Sequence, residues 1–238
     1  MENLILNETS NLINKLHYSL WYFLIFSILG LVFETVFCFV TTGTIESRKE
    51  FLIGPFCPVY GIGATALILA LAHFNKNIKV LFFFGVVIGS IVEYVFDFVF
   101  EAMCGIKFWD YTYLPLNLNG RICIMFSLLW GILTVLLIKF IKPIVDKLIH
   151  NISYKLKLDV PIFAFFILNL ILTVWALSAY AGRNKNLNLI VNNNLSEFQK
   201  TKLYIEDIYF TNERLSSAFP NLRYKNKFGM EIFIKDNF

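Results

Sequence analysis

Five long apolar runs separated by short polar segments dominate this sequence of 238 residues. Runs of about 20 apolar residues are long enough to cross a bilayer as a helix. With 57% hydrophobic residues and a mean hydropathy of +0.63, the composition excludes an ordinary soluble domain. The sequence therefore predicts an all-α, polytopic helical membrane protein with about five transmembrane helices. The predicted spans cover residues 18–40, 51–73, 80–104, 121–141 and 160–181.

The composition between the spans divides the chain into four segments. Residues 1–17 form a polar N-terminal segment, and residues 18–147 form a four-helix membrane domain. Residues 148–181 comprise part of a basic connector and the fifth span. Residues 182–238 form a small, polar, Asn-rich C-terminal tail. The first segment lacks the basic region and cleavage site of a signal peptide, so the first span is predicted to be retained.

Basic residues near the spans predict the orientation. Eight lysines flank the side that holds the N-terminus, and six Lys or Arg residues flank the other side. Because basic residues favour the cytoplasm, we expect a cytoplasmic N-terminus and an extracytoplasmic tail in the cell membrane. Asn194 and Glu197 resemble a capping box, which predicts a helix in the tail. The second span opens with Gly54-Pro55, which favours a broken or late-starting helix.

The third span carries three carboxylates. Glu93, Asp97 and Glu101 recur at intervals of four, so a helix places them along one face. Acidic residues at membrane depth are costly and usually face a bundle interior or a water-filled path. This face is therefore the first candidate for a functional site.

Two spans share a short motif. Gly30-x-x-x-Glu34 matches Gly89-x-x-x-Glu93, and Gly54-x-x-Cys57 matches Gly120-x-x-Cys123 downstream, with loops that differ by seven residues. Two hairpins that start from the same side would form a parallel repeat about an axis along the membrane normal. Spans one and three are then predicted to face each other and to bring the two glutamates together.

The predicted site is a pocket lined by Glu34, Glu93 and Asp97, with Arg121 as counter-charge. Secondary candidates are Arg48, Glu101, Trp109 and Asp110. Carboxylates that share a low-dielectric site repel, which suits proton-linked transport or cation binding. The alternative is that they pair with the two arginines and only lock the bundle.

Other chemistry is weakly represented. Four cysteines lie near the same ends of the spans, either as disulfides or as buried apolar residues: Cys38, Cys57, Cys104 and Cys123. The spacings typical of zinc sites, Walker A loops and nucleophile elbows do not occur. We therefore expect no catalytic residue, metal or cofactor, and a lipid bilayer rather than nucleic acid as partner.

Longer motifs carry a resemblance. Arg48-Lys49-Glu50-Phe51-Leu52-Ile53-Gly54-Pro55-Phe56-Cys57-Pro58-Val59-Tyr60-Gly61 follows Glu34, and Trp109-Asp110-Tyr111, Asn119-Gly120-Arg121-Ile122-Cys123 and Trp130-Gly131 follow Glu93. In these motifs the chain resembles the putative ABC-transporter type IV permease family of bacterial membrane proteins, over roughly residues 18–147. The resemblance implies a permease with a separate ATPase subunit, for which the basic connector 142–159 is the candidate platform. It leaves the substrate and a homo-oligomeric state open.

Two alternative functions fit the same sequence. The first is a non-transporting envelope sensor or scaffold that acts through its C-terminal tail. The second is a membrane-embedded enzyme on lipid-linked substrates, with carboxylates as acid and base.

Overall fold

The structure, a computed structural model, describes residues 2–151, 158–185, 196–225 and 231–233. The α-helices are α1 (Glu2–Thr42), α2 (Pro58–Leu71), α3 (Ile78–Cys104), α4 (Ile124–Leu136), α5 (Lys142–Asn151), α6 (Asp159–Lys185), α7 (Glu197–Tyr209) and α8 (Asn212–Ala218). The strands are β1 (Ile106–Lys107), β2 (Asn117–Leu118), β3 (Ile122–Cys123), β4 (Arg223–Lys225) and β5 (Glu231–Phe233).

Four helical stretches in the described part of the chain are long and apolar enough to cross a membrane: Asn11–Thr42, Ile78–Cys104, Ile124–Asn151 and Asp159–Arg183. They confirm the predicted helical, multi-pass membrane protein. The second predicted span is instead a shorter apolar helix that ends in a single 3₁₀ turn, Pro58–Phe74. It starts seven residues late, as its Gly-Pro opening indicates. The helix of the fourth predicted span continues through a π-helical turn into α5. It ends ten residues past its predicted end at Ile141.

The chain before α2 lies deep in the bundle. The Ile53 N–H donates to Asn169 Oδ1 at 3.0 Å, and Asn169 Nδ2 donates back to the Ile53 carbonyl at 2.7 Å. The Leu52 N–H donates to Thr173 Oγ1 at 2.9 Å. Both side chains belong to the middle of α6 and are buried. Non-helical backbone is tolerated at membrane depth only where protein satisfies its polar groups. Residues 43–57, called the re-entrant segment below, therefore enter the bundle, and α2 begins inside it.

The helices pack as two pairs. α1 packs mainly on α2, α3 packs mainly on α4, and α2 joins the pairs by packing on α3. The prediction that spans one and three face each other is therefore wrong, because α2 takes that place beside α3. The pairs also meet through the rings of Tyr60 and Trp130, whose centroids are 5.4 Å apart at an interplanar angle of 28°.

Equivalent contacts within each pair reveal the repeat. A Cβ added at Gly30 would lie 2.3 Å from the Tyr60 Cβ, and one added at Gly89 would lie 2.6 Å from the Trp130 Cβ. Each glycine thus lets an aromatic residue of the next helix approach the backbone. The same aromatic then bonds the glutamate that follows the glycine by four positions. The two hairpins are therefore built on one plan.

A second glycine pair confirms this plan and corrects its register. Gly61 lies against Ser27 and Phe23, seven and eleven positions before Glu34. Gly131 lies against Val86 and Phe82, seven and eleven positions before Glu93. Cys57 and Cys123 do occupy equivalent positions, as the N-caps of α2 and α4. The aromatic residue follows one helical turn later in α4 than in α2. The interval from the glutamate to its aromatic partner is therefore eleven residues longer in the second hairpin than in the first. The intervals from the glutamates to the cysteines differ by seven.

The tail folds onto the end of the bundle. Ser196 and Gln199 form a capping box at the start of α7, two residues after the predicted start. Asn194, the predicted cap, lies outside the described residues. Trp175 of α6 donates to Glu206 at 3.2 Å, and β4 pairs antiparallel with β1, directly after α3. The tail is thus packed against α6 and the loop that follows α3.

Candidate functional site

A cavity of about 380 Å³ lies at the end of the bundle covered by the tail. Five of the eight predicted site residues line it: Glu34, Arg48, Glu93, Trp109 and Asp110. Its walls come from α1, the re-entrant segment, α3, the loop before α4, α4 itself and residues 219–223. Both glutamates of the G-x-x-x-E motifs thus line one cavity.

The two glutamates are held by neutral donors. The Tyr60 hydroxyl donates to Glu34 Oε1 at 2.5 Å, and Trp130 Nε1 donates to Glu93 Oε2 at 3.1 Å. The Tyr111 hydroxyl donates to Glu93 Oε1 at 3.0 Å. Neither carboxylate has an ion-pair partner within 4 Å among the described residues. These contacts orient the carboxylates without forming an ion pair.

Tyr111 is fixed by its surroundings. Its ring stacks on Phe126 with centroids 4.7 Å apart, and its backbone N–H donates to the Gly120 carbonyl at 2.7 Å. Burial, together with the nearby charge of Glu93, raises the pKa of Tyr111 well above its ordinary value. The phenol therefore keeps its proton and acts as a donor.

Sequence reasoning missed a fourth carboxylate in the cavity. Glu50 is 5% exposed, and its Oε2 accepts from the Val59 N–H at 3.0 Å. It belongs to a polar stretch whose charges sum to zero, so it resembles an ordinary loop residue in sequence. Tyr60 and Trp130 were missed because aromatic residues in apolar spans usually serve packing. The shared aromatic-glycine pair, Tyr60-Gly61 and Trp130-Gly131, was the signal that could have found them.

Two basic residues complete the lining. Arg48 Nη2 donates to Cys38 Sγ at 2.9 Å, while its buried Nε has no hydrogen-bond partner. Lys49 Nζ donates to the Leu52 carbonyl at 3.1 Å. Burial, and then the charge of Arg214, lowers the pKa of Lys49. Within the described part of the chain, neither side chain forms an ion pair within 4 Å.

The other predicted residues form a separate charged cluster. Asp97 is fully buried, accepts from the Phe108 N–H at 3.2 Å and lies 3.4 Å from Arg121 Nε. Arg121 also pairs with Glu101, and its guanidinium lies over the Tyr94 ring at 5.3 Å. These three charged residues are not part of the cavity lining. Their arrangement matches the alternative in which carboxylates pair with an arginine and lock the bundle.

The tail closes the cavity on one side. Arg223 Nη1 donates to Asp110 Oδ2 at 2.9 Å. Asn221 Nδ2 donates to the Ser47 carbonyl at 2.9 Å, and Ser47 Oγ donates to the Ala218 carbonyl at 2.9 Å. Access from that side therefore requires these contacts to open.

The cysteines and the acidic residues do not assemble a metal centre. Cys38, Cys57, Cys104 and Cys123 are buried free thiols. Across the described ranges, no three His, Cys, Asp or Glu side chains come close enough together to hold a metal ion.

The family model described as putative ABC-transporter type IV matches residues 21–174. The chain belongs to this family. The family match extends past residue 147, the limit of the resemblance seen in the motifs, and includes most of α6. It ends before the tail, so the residues of the tail that line the cavity lie outside the family match. No curated protein and no solved structure matches the chain.

Proposed function

We propose that this multi-pass membrane protein is the membrane subunit of a transporter and that its ligand binds in the cavity lined by Glu34 and Glu93. One observation carries the proposal: glutamates from both halves of the repeat line one cavity, and within the described residues their hydrogen bonds come from neutral donors. Charged residues inside a membrane bundle usually belong to a ligand or proton pathway. Membership of a family described as ABC-transporter type IV supports the same function.

The two acidic clusters have different roles in this proposal. Asp97 and Glu101 share the guanidinium of Arg121, so their charges are already compensated. We assign them to holding α3 against the loop before α4. Glu34 and Glu93 form no ion pair within 4 Å among the described residues, so they remain available to a positively charged group or a proton.

Energy would come from a separate ATPase on the cytoplasmic side. In the orientation proposed from the basic residues, the N-terminus and the end of α5 face the cytoplasm. The α4–α5 helix continues to Asn151 and exposes Lys147 beyond the apolar part of the span. This end of the bundle is the proposed platform for the ATPase.

Ligand retention tests the proposal. The purified protein in lipid nanodiscs is equilibrated with a defined mixture of amino acids, polyamines, nucleosides, sugars and organic acids, and the retained compounds are identified by mass spectrometry. We expect at least one compound to be retained by the wild type and lost in a Glu34→Gln/Glu93→Gln double variant. Glu197→Gln, at an exposed position in the tail, is the matched control. Equal retention by all three proteins would overturn the proposal.

The scaffold alternative is favoured by one observation. α7 exposes large apolar side chains, among them Phe198, Tyr204 and Ile208, on a helix outside the family match. Under this alternative, deleting residues 182–238 abolishes the cellular function, and the double glutamine variant retains it. Under the transporter proposal the double variant loses cellular uptake of the compound that the nanodiscs retain.

A further inference from the structure

The cavity contains charges of both signs that do not pair with each other. Glu34, Glu50 and Glu93 contribute carboxylates, and Arg48 and Lys49 contribute cations. In the part of the chain that the structure describes, none of these five forms an ion pair within 4 Å. Asp110 and Arg223 line the same cavity and are paired at 2.9 Å, so close pairing is feasible in this space.

A buried ionisable group is unfavourable in its charged form unless a group of opposite charge pairs with it. Glu93 and Glu50 are each 5% exposed. The buried Nε of Arg48 also lacks a hydrogen-bond partner, although its neighbour Nη2 donates to Cys38. The cavity thus offers acceptors for a cation and a donor for an anion at once.

The two kinds of charge are set apart along α1. Arg48 contacts Cys38, which follows Glu34 by one helical turn, a rise of about 6 Å at 1.5 Å per residue. A short molecule with opposite charges a few bonds apart spans this interval with one contact at each end. A volume of about 380 Å³ lies at the small end of the range for ligand pockets, which suits a molecule of this size.

The charges at the two ends of the cavity favour a ligand that carries both signs. Tyr60 and Trp130 stack on each other, and their polar edges donate to the two glutamates, which are the acceptors for an ammonium group. A simple cation would leave Arg48 unpaired, and a simple anion would face three carboxylates.

We propose, building on the transporter function above, that the ligand is a small zwitterion of the amino-acid type. Its ammonium group contacts Glu34 and Glu93, and its carboxylate contacts Arg48. Lys49 lies beside the carboxylate end and adds to the positive potential there.

The test compares free amino acids with derivatives that keep one charge. The twenty L-amino acids, their methyl esters and their N-acetyl derivatives are titrated onto the protein in nanodiscs. We expect at least one free amino acid to bind, with its ester and its N-acetyl derivative each weaker by about tenfold or more, because each derivative loses one charge-assisted contact. An ester or N-acetyl derivative that binds as tightly as the free amino acid overturns the proposal, as does a panel in which nothing binds.

Variants test which residues bind the carboxylate of the ligand and which bind its ammonium group. Arg48→Gln should weaken the free amino acid about tenfold or more and leave ester binding unchanged, whereas Arg48→Lys should restore most of the affinity. Glu93→Gln should weaken both the free amino acid and the ester. Lys147→Gln, at an exposed position on α5, is the control for loss of a cation. A melting temperature close to that of the wild type confirms that each variant is folded.

The outcomes separate this inference from the function on which it rests. If the nanodiscs retain a compound through Glu34 and Glu93 and that compound carries a single charge, the transporter proposal stands and the zwitterion is wrong. If no compound is retained through these glutamates, both proposals fail.

Discussion

We predict that the hydroxyl of Tyr60 contributes more to the free energy of unfolding than the hydroxyl of Tyr111. Tyr60 supplies the one hydrogen bond that Glu34 receives within the described residues, at 2.5 Å. Glu93 receives one hydrogen bond from Tyr111 and another from Trp130. Removing Tyr60's hydroxyl leaves the Glu34 carboxylate with no hydrogen bond from the described residues, whereas without the Tyr111 hydroxyl the Glu93 carboxylate keeps the bond from Trp130 to its other oxygen.

The expected magnitudes follow from this difference. A hydrogen bond to a charged group contributes about 1.5–3 kcal/mol, so Tyr60→Phe should lower the free energy of unfolding by about that amount. Tyr111→Phe should cost about 1 kcal/mol, because the Glu93 carboxylate keeps its indole donor. In a Glu34→Gln background the acceptor is neutral, and the cost of Tyr60→Phe should fall to about 1 kcal/mol.

Equilibrium unfolding in bicelles measures the wild type and the four variants, and the double-mutant cycle isolates the coupling between Tyr60 and Glu34. Equal losses for the two Tyr→Phe variants would refute the reasoning. So would a cycle in which Tyr60→Phe costs the same with Glu34 as with Gln at that position. Both results would mean that the donor to Glu34 is readily replaced.

Three further changes test other parts of the fold. Gly89→Ala forces a methyl group against Trp130 and should cost about 1–3 kcal/mol, whereas Gly182→Ala, in α6 with open space around it, should cause no loss of stability in the same unfolding assay. Arg223→Gln removes the ion pair to the loop before α4, so hydrogen exchange in residues 218–224 should speed up; unchanged exchange would show that other contacts hold the tail. Asn169→Leu leaves the N–H and C=O of the re-entrant segment without partners and should cost about 2–4 kcal/mol, and stability equal to the wild type would argue against a buried re-entrant segment.

The helical spans were predictable because apolar length is a local property. The bounds of two helices were not. α2 starts late, as its Gly-Pro opening indicated, but the segment before it re-enters the bundle through Asn169, a residue 116 positions later. The helix of span four continues past Ile141. This could not be predicted, because the mixture of charged and apolar residues in 142–151 suits an amphipathic helix as well as a connector.

The site was predictable only where the sequence repeats. The shared G-x-x-x-E motif brought out Glu34 and Glu93, and both line the cavity. Asp97 shares a helix face with Glu93, but spacing cannot reveal that its partner is Arg121 from the loop before α4. Arg223 lies 113 positions after Asp110, so its place at the cavity depends on how the tail folds back.

The two-hairpin plan has a consequence for the ancestry of the protein. In each half the aromatic residue donates a hydrogen bond to the glutamate of that half, and the two aromatic residues stack on each other. A surface of this kind complements a copy of itself, which is the property that a twofold dimer requires. A single ancestral hairpin could therefore have made the same cavity by self-association. Joining two copies in one chain let each change alone: Tyr60 offers a hydroxyl that both donates and accepts, and Trp130 offers an indole that only donates.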